Sequence, residues 1–160
     1  MSVNNIISDA STKKLLEDTL HRCDDGELFL EDTINESFLY DDNVLKNSSF
    51  SKIKGFGLRA INNDLVGYSH SNNLDMSSLK IAAETVSAVK KGYAGTLALE
   101  PHKTNNKLYT DRNPIDSIDY SYKIKLLEDI NEYARKLDSR TRQVSISLSG
   151  TYQKINILRP

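Results

Sequence analysis

The chain has 160 residues, of which 38% are hydrophobic and 27% charged, the composition of a folded globular protein and not of a disordered one. Its net charge of −1 provides no global field that would attract nucleic acid or an acidic membrane. No apolar run reaches the roughly 18 residues of a membrane span, and the start lacks a signal-peptide pattern. A single cysteine, Cys23, cannot form an internal disulfide, so the sequence predicts a cytoplasmic protein.

The first third of the sequence predicts one helix followed by short strands. The helix covers Ser8–Arg22, where apolar residues recur at spacings of three and four. Glu27–Asp32 and Glu36–Tyr40 are rich in Leu, Phe and Tyr and predict two strands separated by Thr and Asn. Asp41-Asp42-Asn43 predicts a hairpin turn, because these side chains bond their own backbone and tolerate left-handed dihedrals. Val44–Ile53 predicts a weaker strand with a bulge or a loose edge.

The middle of the sequence predicts a second hairpin and an amphipathic helix. Gly55–Ile61 and Leu65–Ser71 read as two strands around an Asn-Asn-Asp turn. The helix covers Met76–Lys91, and either Asp75 or Ser77 would cap its N-terminus.

The last part predicts a long connection, a third helix and a final hairpin. Residues 93–118 show no strong period and contain three turn-forming signals, Pro101, Asn105-Asn106 and Asn113-Pro114. Asp119–Leu137 predicts a helix with an apolar stripe at Leu126, Ile130, Tyr133, Ala134 and Leu137. Gln143–Ser149 alternates as a strand, and Gly150-Thr151 predicts a turn into a last strand.

Adjacent strands joined by tight turns favour an antiparallel sheet over βαβ winding. The elements therefore predict a single α+β domain over residues 1–160, a mostly antiparallel twisted sheet with its helices packed mainly on one face. No repeat, low-complexity segment or linker indicates a second domain.

One segment formally matches a nucleotide-binding motif. Gly55–Ala60 reads G-x-G-x-x-A, but the dinucleotide motif must open a helix that receives the phosphates. Here the segment leads into a turn and another strand, which argues against a nucleotide site. The glycines would instead allow close packing, a bulge, or a groove for an extended peptide.

The chain offers little to catalysis or metal binding. Its histidines, His21, His70 and His102, are far apart, and no helix carries two of them with a glutamate, as a zinc peptidase requires. Cys23 follows a helix C-terminus, where the dipole opposes thiolate formation, and predicts an inert thiol. Three pairs of adjacent acids are not candidates for catalysis, because on a strand the two side chains of a pair would point to opposite faces. We predict that they lie in solvated turns: Asp24-Asp25, Glu31-Asp32 and Asp41-Asp42. We therefore predict no catalytic and no metal-binding residue.

The lysines and arginines of the last third alternate with acids. Lys123, Lys125, Arg135 and Lys136 are interleaved with Glu and Asp, which is typical of an exposed helix and not of a segregated nucleic-acid surface.

The order of several segments resembles the N-terminal domain of the TldD/PmbA family, bacterial zinc metallopeptidases once described as modulators of DNA gyrase. These segments are Asp25-Gly26-Glu27-Leu28, Tyr40–Lys46, Gly55–Ala60, Gly67-Tyr68-Ser69, Asp116–Lys136 and Val144–Tyr152. The likeness covers nearly the whole chain and favours the TldD branch.

The resemblance implies the non-catalytic part of a peptidase. In the family a His-Glu-x-x-x-His helix holds zinc, and this motif lies C-terminal to the region matched here, so no metal or catalytic residue is carried over. The implied partners are the missing catalytic C-terminal domain, a PmbA-like or identical subunit, and an extended, unfolded peptide substrate. The implied role is to build the dimer interface and the substrate chamber. The end of the sequence, at Pro160 in or after a strand, indicates a truncated chain or a split reading frame.

Two other functions stay open. The chain could act alone as an interaction module that accepts an extended strand by β-augmentation. Its groove would be lined by Gly55 and Gly57 for backbone access, Arg59 for a carboxylate or carbonyl, and Tyr68 as an aromatic wall. The simpler interpretation is that Arg59 pairs with an acid and Tyr68 only packs. A nucleic-acid or gyrase-related binder rests on the old family description alone.

Overall fold

The computed structural model describes residues 3–90, 96, 99, 110 and 112–160. Its elements in chain order are α1 (Val3–Ser8), α2 (Ala10–Leu20), β1 (Asp25–Asp41), β2 (Val44–Asn62), β3 (Leu65–Ser71), α3 (Met76–Ser87), a 3₁₀ turn (Ala88–Lys90), α4 (Tyr120–Leu137) and β4 (Ser145–Leu158). The strands form one antiparallel sheet in the order β3-β2-β1-β4, which confirms the predicted α+β class.

The chain divides into two compact units. Unit 1 comprises residues 1–32, 53–106 and 154–160, and unit 2 comprises residues 33–52 and 107–153. The statement that residues 1–160 form a single domain stays a prediction.

The first two strands are longer than predicted. Each predicted pair, Glu27–Asp32 with Glu36–Tyr40 and Val44–Ile53 with Gly55–Ile61, is one continuous strand. The polar residues between the predicted strands are compatible with a sheet, because Thr is β-branched and the side chain of Asn35 accepts a hydrogen bond from Thr151. The hairpin turn between them is confirmed: Asp42 and Asn43 have φ of 50° and 68°, as tight hairpin turns require.

The predicted final hairpin is wrong, because β4 runs straight through Gly150-Thr151. Partly buried and exposed residues continue to alternate across this point, as in an extended strand with one covered face. Gly150 does not adopt the left-handed dihedral that a turn would use.

The first two predicted helices are confirmed with changed ends. The first is broken at Asp9, whose carboxylate accepts the backbone N–H of Ser11 and starts α2. The second begins as predicted after Asp75 and gives way to the 3₁₀ turn at Ala88. Its predicted last residue, Lys91, lies outside the described residues, as does most of the predicted connection over residues 93–118.

Unit 1 has a large apolar core. Residues from β1, β2, α1, α2 and α3, together with Cys23 and Leu74 from the connections, form one buried cluster: Ile6, Leu16, Leu20, Cys23, Leu28, Leu30, Phe56, Leu58, Ala60, Leu74, Leu79, Ala82, Ala83 and Val86. Alternate strand positions contribute to it, so the opposite face of β1 and β2 in this unit carries the remaining side chains.

Unit 2 has a smaller core, and the face of α4 that it uses differs from the prediction. Phe38, Tyr40 and Leu127 form the buried cluster. The apolar stripe predicted for this helix is largely exposed, whereas Lys123, Leu127 and Asn131 are buried. Polar residues can occupy the buried face because their polar atoms are hydrogen-bonded: Lys123 to Glu36 and Ile115, and Asn131 to Asn43.

Candidate functional site

The four predicted groove residues lie on the β2–β3 hairpin of unit 1. Gly55, Gly57 and Arg59 are on β2, and Tyr68 is on β3, where it pairs with Arg59. The ring of Tyr68 lies against Gly57, since a Cβ at Gly57 would come within 2.8 Å of the tyrosine hydroxyl. Gly57 therefore serves first to let an aromatic side chain cross the strand.

A shallow groove of about 190 Å³ opens beside this contact. Its lining combines aromatic rings, glycine backbone and charged side chains: Phe29, Glu31, Ile53, Lys54, Gly55, Phe56, Gly57, Tyr68, His70 and Asn72. Tyr68 and His70 stack with ring centroids 5.8 Å apart and form its aromatic side. Three of the four predicted residues thus meet in one groove, but Arg59 is not among the lining residues.

Arg59 is engaged by acids of β1. Its Nε lies 2.7 Å from Glu27 Oε1, and its Nη2 lies 2.8 Å from Glu27 Oε2 and 3.3 Å from Asp25 Oδ2. The hydrogen bond to Glu27 is the main reason that the pKa of Arg59 is raised above its ordinary value. Arg159 forms an ion pair with the same Asp25. The simpler interpretation of Arg59, pairing with an acid, therefore matches the geometry.

Four residues of β1 that lie beside this hairpin were not predicted as site residues. Asp25, Glu27, Phe29 and Glu31 follow each other at every second position of β1, so a period-two search along one strand could have placed them on one face. Asp25 had been predicted to lie in a solvated turn. This is wrong: it belongs to β1 and binds two arginines.

The histidines and the cysteine are not arranged for catalysis. His21 caps the C-terminus of α2, and His70 lies on β3, while His102 lies outside the described residues. Cys23 is fully buried, and burial is the main cause of the raised pKa of its thiol. This environment disfavours the reactive thiolate.

Zinc does not fit the described residues. A zinc site needs three or more nitrogen, sulfur or oxygen ligands in one place, and no such group of His, Cys, Asp and Glu occurs in the described part of the chain. The prediction that the whole chain lacks a metal site stays a prediction.

The remaining sequence motifs have structural explanations. Gly55–Ala60 lies within β2 and opens no helix, so it lacks the structure of a dinucleotide site. On α4, Lys125 pairs with Asp129 and Lys136 with Glu132, as expected for an exposed helix surface. Among the helices that are described, none has both the length and the apolar character needed to cross a bilayer.

Comparison with known proteins finds similarity to one family of metallopeptidases. Residues 26–90 match the family PmbA/TldA metallopeptidase domain 1. The chain is 30% identical to the metalloprotease TldD homolog of Buchnera aphidicola subsp. Acyrthosiphon pisum, covering 94% of this chain and 32% of that protein. It is 31% identical to the metalloprotease TldD homolog of Haemophilus influenzae, covering 94% and 33%. The chain therefore spans about a third of the length of these relatives.

Two solved structures share the fold. One is a putative modulator of DNA gyrase from Bacteroides thetaiotaomicron, with a TM-score of 0.65 and 20% identity over 94% of this chain and 37% of that one. The other is TldE from Thermococcus kodakarensis, with a TM-score of 0.64 and 14% identity over 92% and 35%. At these identities the likeness concerns the fold alone.

Proposed function

Because the chain belongs to the PmbA/TldD family, whose first domain it matches, we propose that it is the non-catalytic N-terminal domain of a zinc metallopeptidase that processes unfolded peptides. One observation carries this proposal: the chain aligns over 94% of its length with about a third of two metalloprotease TldD homologs.

In this role the domain helps to form the subunit interface and the substrate chamber. Its partners are a catalytic C-terminal domain and a second subunit, either identical or related to the TldE structure that shares its fold. Zinc belongs to the catalytic domain. The proposal keeps the cytoplasmic location predicted from the single cysteine.

A zinc titration tests this function. Calorimetry on the purified chain should show no tight stoichiometric zinc site, and a fluorescent unfolded peptide should stay intact with and without zinc. The full-length TldD homolog of Haemophilus influenzae is the matched control, and it should cleave the same peptide in a chelator-sensitive way. Chelator-sensitive cleavage by the 160-residue chain itself would disprove the non-catalytic role.

The groove beside Tyr68 supports a second candidate function, a module that binds an extended peptide. Gly55 contributes half-buried backbone to the groove, Gly57 lies buried under the ring of Tyr68, and Tyr68 and His70 provide an aromatic side. Arg59 would act by holding Glu27 and Asp25 and not by binding the peptide directly. Tyr68→Ala should weaken peptide binding, whereas the similarly exposed Tyr133→Ala should not. Equal binding by both variants would remove the groove from consideration.

A further inference from the structure

The N-terminal half of β2 has one free edge. β3 pairs with β2 only from Phe56 to Asn62, and β1 occupies the other edge. Within unit 2, the segment Val44–Lys52 therefore has a strand on one side and, among the described residues, none on the other. Backbone N–H and C=O groups on such an edge are arranged to pair with another extended backbone.

This segment, which we call the β2 edge, is also uncovered on its faces. All of its residues except Leu45 are exposed, and Phe50 keeps 63% of its surface accessible. It nevertheless stays extended, because it pairs with β1 and because the hydroxyls of Ser37 and Ser49 bond at 2.8 Å. An incoming strand would thus meet a preformed template and not a loop, which lowers the entropy lost on binding.

The charges of the β2 edge specify the chemistry of the incoming strand. The segment reads VLKNSSFSK and contains two lysines and no acid. Neither Lys46 nor Lys52 forms an ion pair with a described residue. A strand laid along this edge would place its side chains beside these cations, so carboxylates are favoured there and cations are disfavoured.

We infer that the β2 edge, Val44–Lys52, binds an extended acidic peptide by strand addition, with Phe50 contacting an apolar side chain of that peptide. This site differs from the groove beside Tyr68 and does not depend on the proposed peptidase role, since it needs no zinc and no hydrolysis. The competing explanation is that the lysines protect a free edge from pairing at all, a common use of edge lysines.

Binding of paired probe peptides to the 160-residue chain tests the charge requirement. Two fluorescent β-prone peptides, each as long as the β2 edge, share one apolar pattern and differ in carrying Glu or Lys at the same positions. Fluorescence anisotropy should show binding of the acidic peptide only. Lys46→Glu combined with Lys52→Glu should weaken it about tenfold and favour the basic peptide. The control Lys13→Glu combined with Lys14→Glu changes the net charge equally at exposed positions on α2 and should alter binding less than about twofold.

Backbone methylation tests the strand geometry. In strand addition alternate residues of the peptide turn their N–H groups to the template, so N-methylation of one alternate set should abolish binding and N-methylation of the other should spare it. Equal binding by both methylated peptides would show that charge attraction and not backbone pairing holds the peptide, and it would overturn the inference. Absence of binding by either parent peptide would overturn it too and assign the lysines a protective role. Mass spectrometry should recover the acidic peptide intact, which separates this binding from peptidase activity.

Discussion

Unit 1 and unit 2 use apolar packing to different extents. Among the described residues, the apolar cluster of unit 1 draws on α1, α2, α3, β1 and β2, whereas that of unit 2 is centred on Phe38, Tyr40 and Leu127. The charged pairs of the two units differ in burial, and the more buried pair belongs to unit 2, which has the smaller apolar cluster. In unit 2 the side chains of Lys123 and Glu36 are 8% and 12% exposed, and in unit 1 the side chain of Arg59 is 37% exposed.

The ion pair of unit 2 shows under what condition a charged side chain can lie in a core. Lys123 Nζ donates to both carboxylate oxygens of Glu36, at 2.8 and 2.7 Å, and to the carbonyl of Ile115 at 2.9 Å, so all three of its protons are bound. Such an ion pair is tolerated in a core only when its hydrogen bonds are complete. The side chain of Arg59 is partly exposed to solvent. Its removal would therefore leave its acidic partners in contact with water and not buried without a partner.

The largest effect is expected at Lys123. Lys123→Ala leaves the carboxylate of Glu36 buried without a partner and should lower the free energy of unfolding by about 3–5 kcal/mol. Urea denaturation measures this loss. Lys125→Ala, on the exposed side of the same helix, should lower the free energy of unfolding far less, because solvent screens its pair with Asp129. The double variant Lys123→Met/Glu36→Leu should recover most of the stability, and a double variant as unstable as Lys123→Ala would contradict the assigned role of the pair.

A smaller effect is expected at Arg59. Arg59→Ala should cost only about 1 kcal/mol, because water screens an arginine whose side chain is more than a third exposed. Arg59→Lys should recover part of this loss, since a lysine retains the charge but cannot reproduce the two bonds to Glu27. Urea denaturation beside the Lys123 variants checks the ranking. If Arg59→Ala proved as destabilising as Lys123→Ala, exposure would not be what distinguishes the two units.

The smallest effect is expected at the helix N-termini. Backbone and side-chain hydrogen bonds, first from Ser78 and then from Ser77, lower the pKa of Asp75, whereas Asp119 before α4 makes no side-chain capping bond. A carboxyl group whose pKa is lower in the folded than in the unfolded state stabilises the protein at pH values above its unfolded-state pKa. This stabilisation is lost as the pH falls through the folded-state pKa. Asp75→Ala should therefore lower Tm near pH 7 and lower it less near pH 3, as circular dichroism can measure.

Asp119→Ala is the matched control for that measurement. It should change Tm less than Asp75→Ala near neutral pH, because no capping bond is lost. Equal shifts from both variants would indicate that charge near the helix N-terminus, and not the capping bond, provides the stabilisation.

Much of the local structure was predictable because short-range chemistry decides it. The Asp42-Asn43 turn and the bounds of β3 at Leu65 and Ser71 were placed from neighbouring residues, and the cap at Asp75 was one of the two candidates they offered. Sequence patterns predicted a break wrongly where polar residues lie inside a strand, as between Asp32 and Glu36 and at Gly150-Thr151. Turn propensity is only a local preference, and pairing with a long neighbouring strand overrides it.

The candidate site was predictable only in part for the same reason. Gly55, Gly57 and Tyr68 come together because a hairpin joins adjacent segments of the chain. The acids that engage Arg59 lie on β1, 32 and 34 residues away in sequence, and no local pattern connects them.

By itself, the sequence determined the α+β class, the turns that join β1 to β2 and β2 to β3, and the helical character of α2 and α3, since these follow from periodicity and from bonds between near neighbours. Only the tertiary structure decided that Lys123 is buried while the apolar stripe of α4 is largely exposed, and that no described strand pairs with the outer edge of Val44–Lys52. Burial and pairing depend on which distant surfaces meet, and a charged side chain can enter a core when the fold brings it a partner.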